Sequence, residues 1–191
     1  FHNAAAVLQH GVVQHITHKT LLPTYDVFDD DRYFQPAAQN APLLVNGKWL
    51  GITICEDIWH EDYLSRALYD VHPPKELARQ GMDILLNLSA SPYCVGKPQV
   101  REQMLTGLAA ELGVPIVYCN AVGGNDQLVF DGQSLVIGAG GTLLSRLQAF
   151  DSDLAVIDTS LNPQPSTLNH STESEELYKA LVLGLRDYVH K

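Results

Sequence analysis

The chain has 191 residues, of which 46% are hydrophobic and 18% charged, and its formal net charge at pH 7 is −10. This length and composition are typical of a globular domain with its own core, not of a disordered segment. The acidic balance argues against a nucleic-acid-binding or anionic-membrane surface. No apolar run reaches the ~18 residues that a membrane-spanning helix needs. Three widely spaced cysteines do not form a disulfide framework, so we expect a protein of the reducing cytoplasm.

Hairpins and strand–helix–strand units alternate along the chain. Residues 4–17, with a His-Gly turn, predict a first hairpin, and a long aromatic and acidic loop follows it up to Pro36. Residues 43–54 predict a second hairpin, because their Asn-Gly pair is typical of a type I′ turn. The other predicted helices span 62–69, 73–81 and 99–112, and the other predicted strands span 83–88, 115–119, 128–137, 143–147 and 154–157. The glycine pairs at 123–124 and 140–141 predict turns. A closing helix follows the capping box Thr172–Glu175, with Leu177, Leu181, Leu185 and Tyr188 on one face. This mixture predicts an α/β domain with mixed strand directions.

The end of the second hairpin carries the main candidate for chemistry. Its last strand runs directly into Cys55, and the carboxylates Glu56 and Asp57 follow at once. A thiol on a sharp turn at the carboxyl end of a strand lies where open α/β folds place catalytic groups. A single cysteine is more often a small buried hydrophobe, so a catalytic interpretation requires a base or a cation near the thiol.

Two kinds of helper for this thiol are present in the sequence. His60 lies five residues after Cys55, which makes a Cys–His hydrolase one hypothesis, although none of the eight histidines lies in a companion motif. Lys19 directly follows the first hairpin, and a lysine and a cysteine at two strand ends are the signature of a different catalytic arrangement. The sequence has no zinc-type spacing of Cys and His and no GxGxxG loop, so we predict neither a metal site nor a phosphate site.

Several motifs together resemble the nitrilase superfamily of Glu-Lys-Cys amidases, and more narrowly the glutaminase domains of bacterial glutamine-dependent NAD synthetases. The motifs cover nearly the whole chain: NAAA at 3–6, HKTLLPTY at 18–25, YDVFD at 25–29 with RYF at 32–34, ICEDIW at 54–59, SASPY at 89–93 and VGGNDQLVFDG at 122–132. Each motif is weak alone, and their combination is specific. The resemblance implies a nitrilase-type four-layer α-β-β-α sandwich that is N-terminally incomplete in this sequence.

The resemblance also implies roles for individual residues. Cys55 would attack the side-chain amide of glutamine, and Lys19 together with the backbone N–H of Glu56 would stabilise the oxyanion. The glutamine pocket would be formed by Tyr25, Phe28, Glu56, Ser91 and Lys97, with Glu56 able to bind the substrate's ammonium group. Relatives commonly have an arginine at the position matched to Lys97, and lysine keeps the charge without the bidentate geometry. The family's general-base glutamate lies upstream of the first hairpin, and no glutamate of this sequence fits its place, since Glu102 and Glu111 fall on a predicted helix.

The implied domain organisation is that of a part of a larger enzyme. Residues 1–160 would be a partial glutamine amidohydrolase domain, and residues 161–191 a linker and helix that lead toward an absent ATP-dependent synthetase domain. That domain would bind ATP and Mg and use the ammonia to amidate deamido-NAD, whereas this one would need no cofactor or metal. Expected partners are glutamine, the synthetase domain of the same polypeptide and further copies in a homo-oligomer. Two alternatives remain open: a stand-alone amidase or carbamoylase of this fold, and a non-catalytic assembly domain.

Overall fold

The computed structural model describes residues 1–59, 69–160 and 172–190, so most of the helix predicted at 62–69, with His60 before it, lies outside the described residues. The chain divides into two compact units, Phe1–Leu88 and Ser89–Lys191. Each unit combines helices with strands. None of the helices in the described residues has both the length and the apolar character that crossing a membrane requires.

The first unit contains both predicted hairpins. Strands β1 (Ala4–Gln9) and β2 (Val12–His18) pair antiparallel, as do β3 (Leu43–Val45) and β4 (Lys48–Ile54). Helix α1 (Pro73–Arg79) leads into β5 (Ile84–Ser89), which pairs parallel with β4. The hairpins, α1 and β5 confirm the sequence-based predictions within one or two residues at each end.

Apolar contacts fix the first hairpin against the second. Ala5 of β1 packs with Ile52 and Ile54 of β4 in one buried cluster, which also contacts Cys55 and Leu86. Because β-branched side chains pack well on a pleated surface, this cluster follows from the sequence of β4. It brings the first hairpin beside the strand that ends at Cys55.

The described residues of the second unit form two helices and five strands. They are α2 (Lys97–Leu112), β6 (Ile116–Asn120), β7 (Val122–Asn125), β8 (Leu128–Asp131), β9 (Leu135–Ile137), β10 (Leu143–Arg146) and α3 (Glu173–His190). Strand β9 pairs antiparallel with both β6 and β10, and β7 pairs antiparallel with β8. Helix α2 begins two residues earlier than predicted, so that Lys97 is its first residue.

Three sequence-based predictions in this unit are wrong. The single strand predicted at 128–137 is two strands, because Gly132 and Gln133 both have a positive φ and turn the chain between them. The glycine pair 123–124 lies within β7, and the turn comes after it at residues 126–127. Residues 154–157 form no strand, and the side chain of Leu154 is 92% exposed. An apolar run favours extended backbone, but a strand also needs a partner, and no described residue pairs with this run.

Helix α3 begins as predicted but packs through a different face from the predicted one. The capping box is formed: the Thr172 N–H donates to the Glu175 carboxylate (2.8 Å) and the Glu175 N–H donates to Thr172 Oγ1 (3.3 Å). Two glycines let α3 approach β7 closely, since a Cβ added at Gly124 would lie 3.1 Å from the Cα of Gly184. Beside them, Ala180 and Leu183 of α3 are buried in an apolar cluster that β7 also contacts. The Gly124 N–H also donates to Asp187 Oδ2 (2.7 Å). The predicted apolar face is instead 46% to 78% exposed, at Leu177, Leu181, Leu185 and Tyr188.

Candidate active site around Cys55

Cys55 lies on a strained turn at the end of β4. Its φ is 46°, in the left-handed region that a non-glycine residue seldom adopts, and a short 3₁₀ turn (Cys55–Ile58) follows it. The fully buried Asn87 of β5 anchors this turn, because its side-chain amide donates to Thr53 Oγ1 (3.0 Å) and to the Cys55 carbonyl oxygen (3.4 Å). Backbone strain of this kind is maintained where the surrounding structure holds it, and it concentrates at functional sites.

The carboxylate of Asp57 joins this turn to the end of the first hairpin. Its Oδ2 accepts the N–H of Ile54 (2.9 Å), and its Oδ1 accepts the N–H groups of Thr20 (2.9 Å) and Leu21 (2.7 Å). The residue is 1% exposed. Burial raises the pKa of the Asp57 carboxyl to about 6, while the three N–H donors and the Lys19 charge act in the opposite direction. Sequence analysis noted this carboxylate only as a neighbour of Cys55.

Lys19 is 4% exposed, and both of its backbone polar groups are hydrogen-bonded. Its N–H donates to the Asn3 carbonyl oxygen (2.8 Å), and its carbonyl oxygen accepts the N–H of Ala37 (2.9 Å). Its Nζ forms an ion pair with Asp30 Oδ2 at 2.5 Å. A buried lysine of this kind needs a paired anion, and Asp30 provides it. Asp30 was not among the predicted site residues, since its only signal in the sequence is its place in the acidic run after Phe28.

Glu56 is buried beside Cys55 and accepts two hydrogen bonds on one oxygen. The hydroxyls of Tyr25 (2.7 Å) and Tyr69 (3.3 Å) both donate to Oε1. Burial, followed by the hydrogen bond to Glu56, raises the pKa of the Tyr25 hydroxyl, and burial with the Glu56 charge raises that of Tyr69. Both hydroxyls are therefore protonated donors near neutral pH. The rings of Tyr25 and Phe28 meet edge to face with centroids 6.0 Å apart. Tyr69 was missed because it belongs to none of the sequence motifs.

Four of the predicted pocket and helper residues thus lie in the first unit with Cys55, and two lie in the second unit. Ser91 is buried, and its N–H donates to Asn120 Oδ1 (2.9 Å). Lys97 starts α2, and its N–H donates to the Cys94 carbonyl oxygen (3.1 Å). Within residues 1–59, 69–160 and 172–190, no three His, Cys, Asp or Glu side chains are grouped so that they could hold a metal ion.

Comparisons with known proteins show which family the chain resembles. A family model described as carbon-nitrogen hydrolase matches residues 1–163. The glutamine-dependent NAD(+) synthetase of Synechocystis sp. is 40% identical over 195 residues, which cover 99% of this chain and 35% of that protein.

Solved structures give the same result. The glutamine-dependent NAD+ synthetase from Acinetobacter baumannii, in complex with ADP, is 38% identical with a TM-score of 0.87, and the match covers 99% of this chain and 35% of that one. A mutant of the amidase from Nesterenkonia sp. AN1 is 25% identical with a TM-score of 0.59, over 73% of this chain and 50% of that one. The chain thus spans 35% of the length of these two NAD synthetases.

Proposed function

Because the chain belongs to the carbon–nitrogen hydrolase family, we propose that its Cys55 hydrolyses the side-chain amide of glutamine. The same comparisons confirm the expected α/β fold of nitrilase type. The observation that supports the proposal most directly is the left-handed turn at Cys55, with a buried, doubly hydrogen-bonded carboxylate on the next residue. In the Nesterenkonia amidase mutant, acrylamide has added to the active-site cysteine, which supports Cys55 as the nucleophile here.

The proposed reaction proceeds through a thioester. The Cys55 thiolate attacks the amide carbon of glutamine, and the ammonium of Lys19 and the N–H of Glu56 stabilise the oxyanion that forms. The C–N bond then breaks, and the nitrogen leaves as ammonia after it receives the proton that the thiol gave to the general base. Water attacks the γ-glutamyl thioester, the same base takes a proton from the water, and glutamate leaves as the proton returns to Cys55. We assign the general base to a glutamate outside these 191 residues, as the family resemblance implies.

The hydrogen bonds of Glu56 support its role as the site for the substrate's ammonium group. Tyr25 and Tyr69 both bind Oε1, so we assign the second oxygen, Oε2, to the ammonium group. The two hydroxyl donors occupy one oxygen of this carboxylate and leave the other oxygen for a cation. Phe28 would provide an apolar wall through its contact with Tyr25. Ser91 and Lys97 remain in the proposed pocket on the family resemblance alone.

The ammonia would serve a second reaction in the larger protein. The relatives that match over the whole chain are named glutamine-dependent NAD(+) synthetases, and we propose that this chain supplies ammonia for the ATP-dependent amidation of deamido-NAD. ATP and Mg would be bound by the synthetase domain of the same polypeptide, and this chain would bind glutamine without a cofactor. We also propose a homo-oligomer, as the resemblance implies.

Ammonia release from glutamine tests the proposal. Three proteins are compared: this chain, a longer chain extended upstream to include the general-base glutamate, and the longer chain with Cys55→Ala. We expect activity only in the longer chain and none after Cys55→Ala. Turnover through Cys55 in the short chain would place the base among its own residues and would favour a Cys–His hydrolase. If no protein releases ammonia from glutamine, simple amides and N-carbamoyl compounds are assayed next, because turnover of these would indicate a stand-alone amidase or carbamoylase.

A further inference from the structure

One buried carboxylate joins the two segments that carry the candidate catalytic groups, which are the 3₁₀ turn at Cys55 and the segment Lys19–Leu21 that follows β2. Asp57 accepts the N–H of Ile54, the residue before Cys55, and the N–H of Thr20, the residue after Lys19. A third donor, the N–H of Leu21, belongs to the same segment as Thr20. Each candidate catalytic residue is therefore next in sequence to a residue whose N–H group donates to Asp57.

The three N–H donors require that both side-chain oxygens of residue 57 act as acceptors. An ionised carboxylate accepts on both oxygens, whereas an asparagine presents an amide N–H₂ on one side. At position 57 that group would face either the Ile54 N–H or the N–H groups of Thr20 and Leu21. Residue 57 would then no longer bind one of the two segments. Because buried donors without acceptors are costly, the segment that loses its hydrogen bond would move toward other acceptors.

We propose that Asp57 is a positioning residue that holds the Lys19 segment in a fixed place relative to the Cys55 turn. It does this through backbone groups and does not contact the substrate. The inference rests on the proposed function for its catalytic consequence, which is that Lys19 is held where it stabilises both the Cys55 thiolate and the oxyanion. Apart from its hydrogen bonds, the negative charge of Asp57 would have the opposite effect, because an anion near a thiol disfavours the thiolate.

The positioning of Lys19 and the charge of Asp57 would have opposite effects on the ionisation of the Cys55 thiol, so the pH dependence of its alkylation distinguishes them. The rate at which iodoacetamide alkylates Cys55 is measured against pH in the full-length protein and in its Asp57→Asn and Lys19→Met variants. Mass spectrometry of the Cys55 peptide is needed, since Cys94 and Cys119 are exposed and also react. If Asp57 positions Lys19, both variants move the profile to higher pH, and the alkylation rate near neutral pH falls by ~10-fold for every pH unit that the profile moves. A movement of the Asp57→Asn profile to lower pH, or no movement, would overturn the inference.

Asp83→Asn is the matched control, because the Asp83 carboxylate also accepts a backbone N–H of β4. Asp83 Oδ2 accepts the N–H of Trp49 (2.7 Å) near the start of β4, so this variant makes the same chemical change at the end of the strand away from Cys55. We expect its alkylation profile to match that of the unmodified protein. An equal change in the profile of Asp83→Asn would mean that the effect reports general loosening of β4, and the inference would fail.

Steady-state kinetics test the catalytic consequence. We expect Asp57→Asn to lower kcat for glutamine hydrolysis by up to ~100-fold, the cost of misplacing a catalytic group by about 1 Å. The KM for glutamine should change little, because Glu56 and its tyrosines are not bound to Asp57. A normal kcat in a hydrolysing protein would overturn the inference. If the unmodified protein and Cys55→Ala release ammonia equally, the proposed function fails, and the alkylation profiles still decide the role of Asp57.

A second variant covers the case in which Asp57→Asn does not fold. Asp57→Glu keeps the charge and both acceptor oxygens but lengthens the side chain by one methylene. The longer side chain would displace the Lys19 segment relative to the Cys55 turn. We expect it to lower kcat and to move the alkylation profile in the same direction as Lys19→Met. Kinetics and alkylation like those of the unmodified protein would show that the spacing of the two segments does not matter, and the inference would fail.

Discussion

Two buried carboxylates, one in each unit, are held by different kinds of donor. Asp131 forms a two-pronged ion pair with Arg101, whose Nη1 and Nη2 lie 3.2 Å and 2.5 Å from its two oxygens, and Asn120 and Gln133 also donate to it. The described donors to Asp57 are backbone N–H groups alone. A charge that has its own buried counter-ion is a structural feature, whereas a buried carboxylate on backbone donors beside a candidate nucleophile is a candidate for function.

The largest expected effect is on stability and comes from breaking the ion pair. Arg101→Met removes the cation and leaves Asp131 buried without its counter-ion, while the new side chain keeps most of the apolar volume. We expect a loss of about 3–5 kcal/mol in the free energy of unfolding, which urea denaturation measures. Arg79→Met, at an exposed helix ion pair with Glu76, is the control and should cost less than about 1 kcal/mol. Equal losses in the two variants would remove the distinction between a buried and a surface pair.

The second prediction concerns pH and uses Asp57. Its pKa in the folded protein is about 6, above the ordinary 3.8, so the folded state binds the proton more tightly than the unfolded state does. The stability from this proton is therefore complete below the ordinary pKa and is lost as the pH rises through about 6. At about 1.36 kcal/mol per pH unit, the loss is about 3 kcal/mol.

The Asp57→Asn variant isolates this contribution, because asparagine does not titrate. Thermal unfolding of both proteins is followed from about pH 4 to about pH 7. The unmodified protein should lose stability relative to Asp57→Asn over this range. A constant difference between the two would mean that the three N–H donors and Lys19 fully offset the effect of burial on the carboxyl.

The strand that ends at Cys55 shows what the sequence could predict. An apolar β-branched run, a cysteine and two carboxylates predict a buried strand and a sharp turn from local information alone, and the structure has both. The partners of Asp57 could not be predicted, because Thr20 and Leu21 lie 37 and 36 residues away and are bound through backbone groups that carry no side-chain signal. The roles of the pocket residues remain predictions, since they depend on a bound substrate.

Helix α3 shows the corresponding limit for packing. Its capping box is a local pattern and was predicted correctly. Its packing face was not predicted, because the largest apolar side chains indicated a different face. The buried face combines Ala180 and Leu183 with a close approach of Gly184 to Gly124 of β7. A close approach of two backbones is a property of the folded chain and leaves little trace in a hydrophobic pattern.

The smallest expected effect concerns a third buried carboxylate, Glu56, whose hydrogen-bond donors are hydroxyl groups. Tyr25→Phe and Tyr69→Phe each remove one donor to Oε1 and keep the ring. If Glu56 binds the substrate's ammonium, loss of a donor lets the carboxylate turn away from it, and we expect KM for glutamine to rise by about 3–10-fold with little change in kcat. The rise should be larger for Tyr25→Phe, whose hydrogen bond is 2.7 Å long against 3.3 Å for Tyr69.

Tyr33→Phe is the control for these two variants. Tyr33 lies in the same loop as Tyr25 and is 63% exposed, so loss of its hydroxyl should leave both kinetic constants unchanged. A fall in kcat at constant KM in Tyr25→Phe would contradict the assignment, because the hydroxyl would then act on the chemistry at Cys55 and not on ammonium binding. A rise in KM confined to Tyr25→Phe and Tyr69→Phe would distinguish a carboxylate that binds substrate from Asp57, whose loss should lower kcat, and from Asp131, which belongs to the buried ion pair.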